Sequence, residues 1–467
     1  MFFRQVTDSE LAQYAYLIGC QRTGEALVID PERDIDRYDR IAAEEGLRIT
    51  SVTETHIHAD FLSGARQFGQ RDGVRLYLSD DGPPDWKSNW AKGDPSLDVH
   101  FLHDGDTFMV GNIEVRAVFT PGHTPEHMAF LITDKGGGAD TPMGIASGDF
   151  VFVGDLGRPD LLETAAGTVG AMEPSAETLF ESVQRFLELD DEIQVWPGHG
   201  AGSACGKALG AVPTSTVGYE KTYNASIAPY HDGRDAFVAA ILDGQPEPPA
   251  YFARMKKLNR DGVPLLAELP QPEVVTPDQV PGLLEQGVSV LDLRADRVAF
   301  MAGHLPGAVF APGKTLSTIA GSYLDPEKPI LLIGDPQQTE SVVRRLVRIG
   351  YDHARWVLPT EQLGDVPGEL ASIERTDFEH AKAHFVDEGA HVIDVRRATE
   401  FEAGHVPGAV NVAHTRLLPR LEEVPSEGTL YVHCLSGARA ASAASFLASM
   451  GRDVVYVDDA FANAPRS

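Results

Sequence analysis

The chain has 467 residues, 43% of them apolar and 8% aromatic; this is too long for one hydrophobic core and excludes wholesale disorder, so two to four folded domains are expected. Its 39 lysines and arginines against 69 aspartates and glutamates leave a formal charge of −30, which excludes the basic footprint that nucleic acid or an anionic membrane would require. No uninterrupted apolar run approaches the roughly eighteen residues of a spanning helix.

The opening MFFRQVTDSELAQY turns polar too early for a secretory signal. The three cysteines, Cys20, Cys205 and Cys434, are far apart and lack CxxC spacing, which points to free thiols in a reducing, cytoplasmic compartment. Through about residue 230, short apolar runs (EALVID, RITSVTET, IEVRAVFT, IQVWPGHG) alternate with amphipathic helical stretches such as DIDRYDRIAAEEG, an α/β pattern. RITSVTET reads as a strand whose exit, THIHADF, carries His56, His58 and Asp60. TPGHTPEH then brings His123, SGDF brings Asp149 and VWPGHG brings His199, each after an apolar run. Imidazoles and carboxylates arriving from four strand ends can encircle a divalent metal, which one helix cannot do. Cys20, in YLIGCQRTGEALVID, reads as a structural thiol on a hairpin strand.

The next segment, GHGAGSACGKALG, places Cys205 and Lys207 in a Gly-rich loop, where a neighbouring ammonium would lower the thiol pKa. Residues 246–271 are Pro-rich and read as a connector between a first domain, 1–245, and the C-terminal half of the chain. That half repeats itself: VLDLR and GHLPGAV at 290 and 303, VIDVR and GHVPGAV at 392 and 404. This spacing marks a duplicated domain, assigned to 272–366 and 367–467, with a loose tail after Tyr456. In the second copy, TLYVHCLSGARAASAASFLASMG is a strand, a tight loop and a helix. Cys434 closes the strand, and the N–H groups of Leu435, Ser436, Gly437 and Ala438, with Arg439, form a cradle for a thiolate or persulfide anion. In the first copy Asp335 falls opposite Cys434 and Glu340 opposite Arg439, and Pro336 removes a donor. That copy is therefore expected to be catalytically inactive. Because it keeps GHLPGA, His304 and His405 are read as parts of a fold-defining turn.

The words HxHxD, GHT, GD and PGHG resemble those of the metallo-β-lactamase superfamily, which implies an N-terminal αββα sandwich. The repeats resemble rhodanese sulfurtransferases, so the fold class is α/β throughout: the sandwich and two α/β rhodanese-like domains. Phe61 stands where binuclear zinc hydrolases have a further histidine; a phenyl ring cannot bind a metal, and a mononuclear site is expected. Within the superfamily the sequence most resembles persulfide dioxygenases, and GSACGK with STVGYEK resembles their fusions to rhodanese domains. The resemblance implies one Fe(II) per chain held by His56, His123 and Asp149. His58, Asp60 and His199 would orient ligands or order water, with Arg158 and Asp160 of GRPD on the pocket wall and Cys205 taking up a persulfide near the iron. The implied partners are a small-thiol persulfide, O2, and sulfite or thiosulfate, in a homo-oligomer. The rival readings are a glyoxalase II-like zinc thioester hydrolase and a non-catalytic sulfur carrier or scaffold.

Overall fold

The structure is a computed structural model describing residues 1–164 and 170–465. It divides into two compact units, 1–248 with 252–267, and 249–251 with 268–467.

In the first unit, the strands β1 (Phe2–Asp8), β2 (Gln13–Cys20), β3 (Glu25–Ile29), β4 (Arg48–Thr53), β5 (Arg75–Ser79) and β6 (Asp98–Leu102) form one sheet in that order. A second sheet contains β7 (Thr107–Val110), β8 (Ile113–Phe119), β9 (Met128–Asp134), β10 (Gly144–Gly148), β13 (Gln194–Pro197) and β14 (Ser215–Thr216), ordered β14-β13-β10-β9-β8-β7. A small hairpin, β11 (Val151–Phe152) and β12 (Asp155–Leu156), comes directly after β10. Strand side chains alternate between faces, and the burial shows where each face goes. Tyr16, Ile18, Leu27 and Ile29 meet Phe130, Ile132, Ala146 and Trp196 between the sheets. Ala15, Leu17, Ala26 and Val28 face the other way, onto Tyr38 and Phe68 of the helices Asp36–Glu44 and Ala65–Gly69. On the far side, Ala129 and Leu131 meet Ala176, Leu179, Val183 and Phe186, which recur at helical spacing along Met172–Leu187. The result is helix, sheet, sheet, helix.

The stretch 246–271 is more than the connector expected from its prolines. It contains the helix Phe252–Asp261, with Phe252, Met255, Lys256 and Asn259 buried, and residues 252–267 belong to the first unit. The amide of Asn259 donates to the carbonyls of His58 and Phe61 at 2.8 and 2.7 Å and accepts from Ser63 N–H at 2.9 Å.

The second unit holds two parallel five-stranded sheets. The first contains β15 (Glu273–Val274), β16 (Ser289–Asp292), β17 (Ala308–Phe310), β18 (Ile330–Gly334) and β19 (Ala354–Pro359), ordered β15-β19-β18-β16-β17. The second, β20 (Glu374–Thr376), β21 (Ala390–Asp394), β22 (Val410–Asn411), β23 (Thr429–His433) and β24 (Asp453–Val457), is ordered β20-β24-β23-β21-β22, the same arrangement. The repeated words build one clasp twice. Arg294 forks onto Asp292 and donates to Gly303 O, as Arg396 does to Asp394 and Gly404 O. His304 and His405 each bond a carbonyl of the preceding helix, at 2.9 and 3.0 Å, and stack on Phe300 and Phe401. The segment after Tyr456 is not a loose end. Phe461 is buried, lies 3.5 Å beneath the Arg396 guanidinium and donates from its N–H to Leu435 O at 2.9 Å.

Candidate metal centre and Cys434 loop

The loops leaving β4, β8, β10 and β13 converge at one edge of the sandwich and bring His56, His123 and Asp149 together. All three are buried, and one ligand atom from each lies within 4.8 Å of the others. The Nε2 atoms of His56 and His123 stand 3.9 and 3.6 Å from Asp149 Oδ2. His123 Nδ1 donates to Arg158 O at 3.0 Å, and His56 Nδ1 donates to Thr55 Oγ1 at 2.9 Å while that hydroxyl gives its own proton to Asp30. Both rings are thereby assigned the tautomer whose Nε2 lone pair faces the centre. Burial lowers His123 to about 4 and His56 well below its ordinary value, keeping both neutral as ligands must be. Asp149 Oδ2 is buried without a hydrogen-bond partner among the described residues. Two neutral imidazoles around an orphaned carboxylate oxygen fit a single divalent cation.

The surrounding groups are committed elsewhere. His199 donates from Nδ1 to Asp149 Oδ1 at 2.7 Å and from Nε2 to Asp60 Oδ2 at 2.8 Å. Burial opposes its charge, yet the two carboxylates raise it to about 10, an imidazolium with no lone pair to offer. In return, His199 holds Asp149 well below the usual carboxylate range against the opposing effect of burial. His58 turns away to Asp30 Oδ1 at 3.2 Å and Glu54 Oε2 at 3.0 Å, with Phe61 packed on its ring at 4.4 Å. Asp30 adopts φ +53°, an uncommon backbone state for a non-glycine residue, and from it caps Thr55 N–H at 2.6 Å. Arg158 forks onto Asp160 at 3.0 and 2.6 Å and reaches Ala204 O at 3.1 Å, tying GRPD to the cysteine loop.

Asp149 is enclosed by glycines. A Cβ on Gly157 would overlap the Asp149 carbonyl oxygen, and one on Gly198 would sit 2.6 Å from Asp149 Oδ1. Gly157→Ala is expected to cost about 1–3 kcal/mol of stability, as overpacking does. Denaturant unfolding checks the loss, and metal content should fall with it.

Cys205 is buried, and its thiol lies within 4.8 Å of an Asp60 carboxylate oxygen and a His199 ring nitrogen. Its environment differs from the one expected. Lys207 is exposed and donates to the carbonyls of Ala240 and Asp243 at 2.9 and 3.1 Å. Its ammonium is spent on a helix end, and burial, with Asp149 and Asp60 nearby, pushes the Cys205 thiol well up rather than down.

In the second unit, Cys434 is 1% exposed and its Sγ accepts from Ala440 N–H at 3.4 Å, at the start of the helix Ala438–Ser449. Gly437 has φ +84°, and a Cβ there would stand 2.5 Å from Asp458 Oδ1, so glycine is required for the turn. Arg439 is not an unpaired charge: Glu400 grips its guanidinium at 2.6 and 2.8 Å. Arg297, from the preceding repeat, donates to Ser436 O at 3.3 Å and pairs with Asp458 at 2.8 Å. In the first repeat Asp335 Oδ1 accepts from Gln337 N–H at 2.9 Å, and Glu340 pairs with Arg344 at 2.8 Å. That loop already carries its own anion.

Two family descriptions match the chain: Metallo-beta-lactamase superfamily over residues 8–199 and Rhodanese-like domain over residues 377–463. A solved metallo-beta-lactamase from Staphylococcus aureus subsp. aureus COL is 41% identical, with a TM-score of 0.67, covering 77% of this chain and 99% of that one. The chain belongs to the metallo-β-lactamase superfamily. This superfamily member is also 30% identical over 250 residues to a beta-lactamase hydrolase-like protein of Xylella fastidiosa (strain 9a5c), covering 47% of this chain and 51% of that protein. It thus spans about half the length of that curated relative. The mitochondrial persulfide dioxygenase ETHE1 of Bos taurus is 26% identical over 226 residues, covering 48% of this chain and 75% of that protein.

Several side chains around the superfamily site lie beyond those that the sequence motifs single out. Glu126 Oε1 accepts from Ile57 N–H at 2.7 Å and fixes the HIH loop, and His127 Nε2 accepts from Asp149 N–H at 3.2 Å. Glu126 and His127 stand within TPGHTPEH, where a signal exists. Asp30, Asn259 and Arg297 lie on distant segments and carry no local sign of their role.

Proposed function

We propose that the chain is a non-haem Fe(II) persulfide dioxygenase coupled to a sulfurtransferase, acting in the cytoplasm as a homo-oligomer. One iron per chain is held by His56, His123 and Asp149. When bound there, iron would supply open coordination positions for O2 and the terminal sulfur of a persulfide. The overall change is R–S–SH + O2 + H2O giving R–SH, SO3²⁻ and two protons. His199 keeps Asp149 ionised and aimed, the Arg158–Asp160 fork fixes the pocket wall, and burial excludes bulk water. In the C-terminal repeat, Cys434 carries sulfane sulfur as Cys–S–S⁻. Attack by sulfite on the outer sulfur forms thiosulfate and returns the Cys434 thiolate, and the reverse reaction loads the cysteine. Loop amides and the helix N-terminus stabilise the anion in either direction. The first repeat, whose loop is filled by Asp335, is inactive in transfer.

The observation that carries the dioxygenase reading is the commitment of His199 and His58 to carboxylates, which leaves two imidazoles and one carboxylate, the donor set of ferrous oxygenases. The test is anaerobic loading with iron or zinc, then oxygen-electrode and product analysis with several persulfide donors. Oxygen uptake with sulfite release is expected from the iron form alone. Thioester hydrolysis by the zinc form without oxygen uptake in either would favour the hydrolase.

A further inference from the structure

Lys256 is 5% exposed, and among the described residues its Nζ has no hydrogen-bond partner. A buried ammonium is costly unless an anion meets it. Its position is nevertheless fixed. It lies one turn before Asn259 on the helix Phe252–Asp261, so both residues share the helix face turned to the metal-bearing loop. Asn259 pins that face to His58, Phe61 and Ser63. Nζ stands 4.5 Å from the Trp86 ring centroid, a contact that attracts the charge but accepts no hydrogen bond.

That shared face sets the ammonium beside the metal-bearing loop, where the titratable groups that act on it are Glu126, Cys205 and Asp160 and it acts in turn on His123. The Asp160 carboxylate is forked onto Arg158, and Glu126 Oε1 is held by Ile57 N–H. Burial lowers the ammonium to about 8, still charged at neutral pH.

We propose that Lys256 is the anion-holding side chain of this pocket, and that it takes a compact sulfur anion, a persulfide or sulfite. The assignment rests on the dioxygenase reading for the identity of the anion. It gives the pocket the positive charge that Lys207, turned to a helix end, does not supply. The rival partner is the second Glu126 oxygen, which is buried and unbonded among the described residues.

The test is calorimetric titration of sodium sulfite into the anaerobic full-length protein, comparing the parent with Lys256→Met and Lys256→Arg. The Cys434 loop is common to all three. Lys256→Met should weaken sulfite by about tenfold or more, the range of a charge-assisted contact, with Lys256→Arg retaining most of the affinity. Its Tm should hold or rise, because Met packs against Trp86 without a buried charge. With cysteine persulfide as substrate, KM should rise by a similar factor and kcat should change little. Unchanged sulfite affinity in Lys256→Met overturns the assignment, and a lowered Tm beside it identifies Lys256 as the structural partner of Glu126. A parent protein that binds sulfite through Lys256 yet consumes no oxygen supports the assignment and overturns the dioxygenase reading instead.

Discussion

Cys434→Ser is expected to abolish sulfur transfer from thiosulfate, by ~10³-fold or more, as loss of a covalent nucleophile does, while persulfide-dependent oxygen uptake largely survives. The hydroxyl keeps the shape of the thiol, and the loop should keep its amides, Gly437 turn and Glu400–Arg439 pair. What disappears is the only sulfur among the loop residues 434–439 able to carry a second one. A thiosulfate:cyanide assay for transfer and an oxygen electrode for oxidation measure the two halves on one preparation. Loss of both activities would show that the chemistries are not separable. The scaffold reading predicts neither activity in the parent.

Asp149→Ala is expected to lose iron and lower oxygen uptake by more than ~100-fold, beyond the usual effect of residues that only support a ligand. His199→Ala is the informative contrast. It removes the cation that orients Asp149 and leaves the proposed ligand atoms in place, so iron should remain with activity reduced about 10–100-fold. Removing Asp149 also deprives the buried His199 of one of its two carboxylates. The imidazolium should therefore lose its charge at lower pH than in the parent, the sign expected when an anionic neighbour is withdrawn. Iron content after anaerobic reconstitution and NMR titration of the His199 ring measure these outcomes. Stoichiometric iron in Asp149→Ala would place the ligand set elsewhere.

What is legible from the residues is mostly short and periodic. The continuous apolar run of EALVID and the alternation of IEVRAVFT mark strands because two-sided and one-sided burial each leave their trace locally, and THIHADF announces its cluster because all its polar residues lie within one loop. The alignment of ILLIGDPQQTES with TLYVHCLSGARA needs only the repeat itself. Long-range partnerships are not legible. Asn259 meets the loop at His58 from some two hundred positions away, and prolines on both sides of its helix make the whole stretch resemble a connector. Lys207 misleads because adjacency in sequence to Cys205 is not adjacency in space; the chain turns between them, and the lysine finds carbonyls instead. Arg439 reads as a full positive charge for the cradle because Glu400, which pairs with it, lies on another helix. The tail reads as loose because Phe461 has its partner, Arg396, on a different strand exit.

The hold of Asn259 on the backbone at His58, Phe61 and Ser63 has a practical corollary for dividing this chain. A fragment cut at 245, where the prolines begin, would expose the groove that receives the helix and free the carbonyls of the very loop carrying His56. Extending the cut to 267 keeps that brace with the sandwich it supports. The N-terminal unit must therefore be excised with its apparent tether attached.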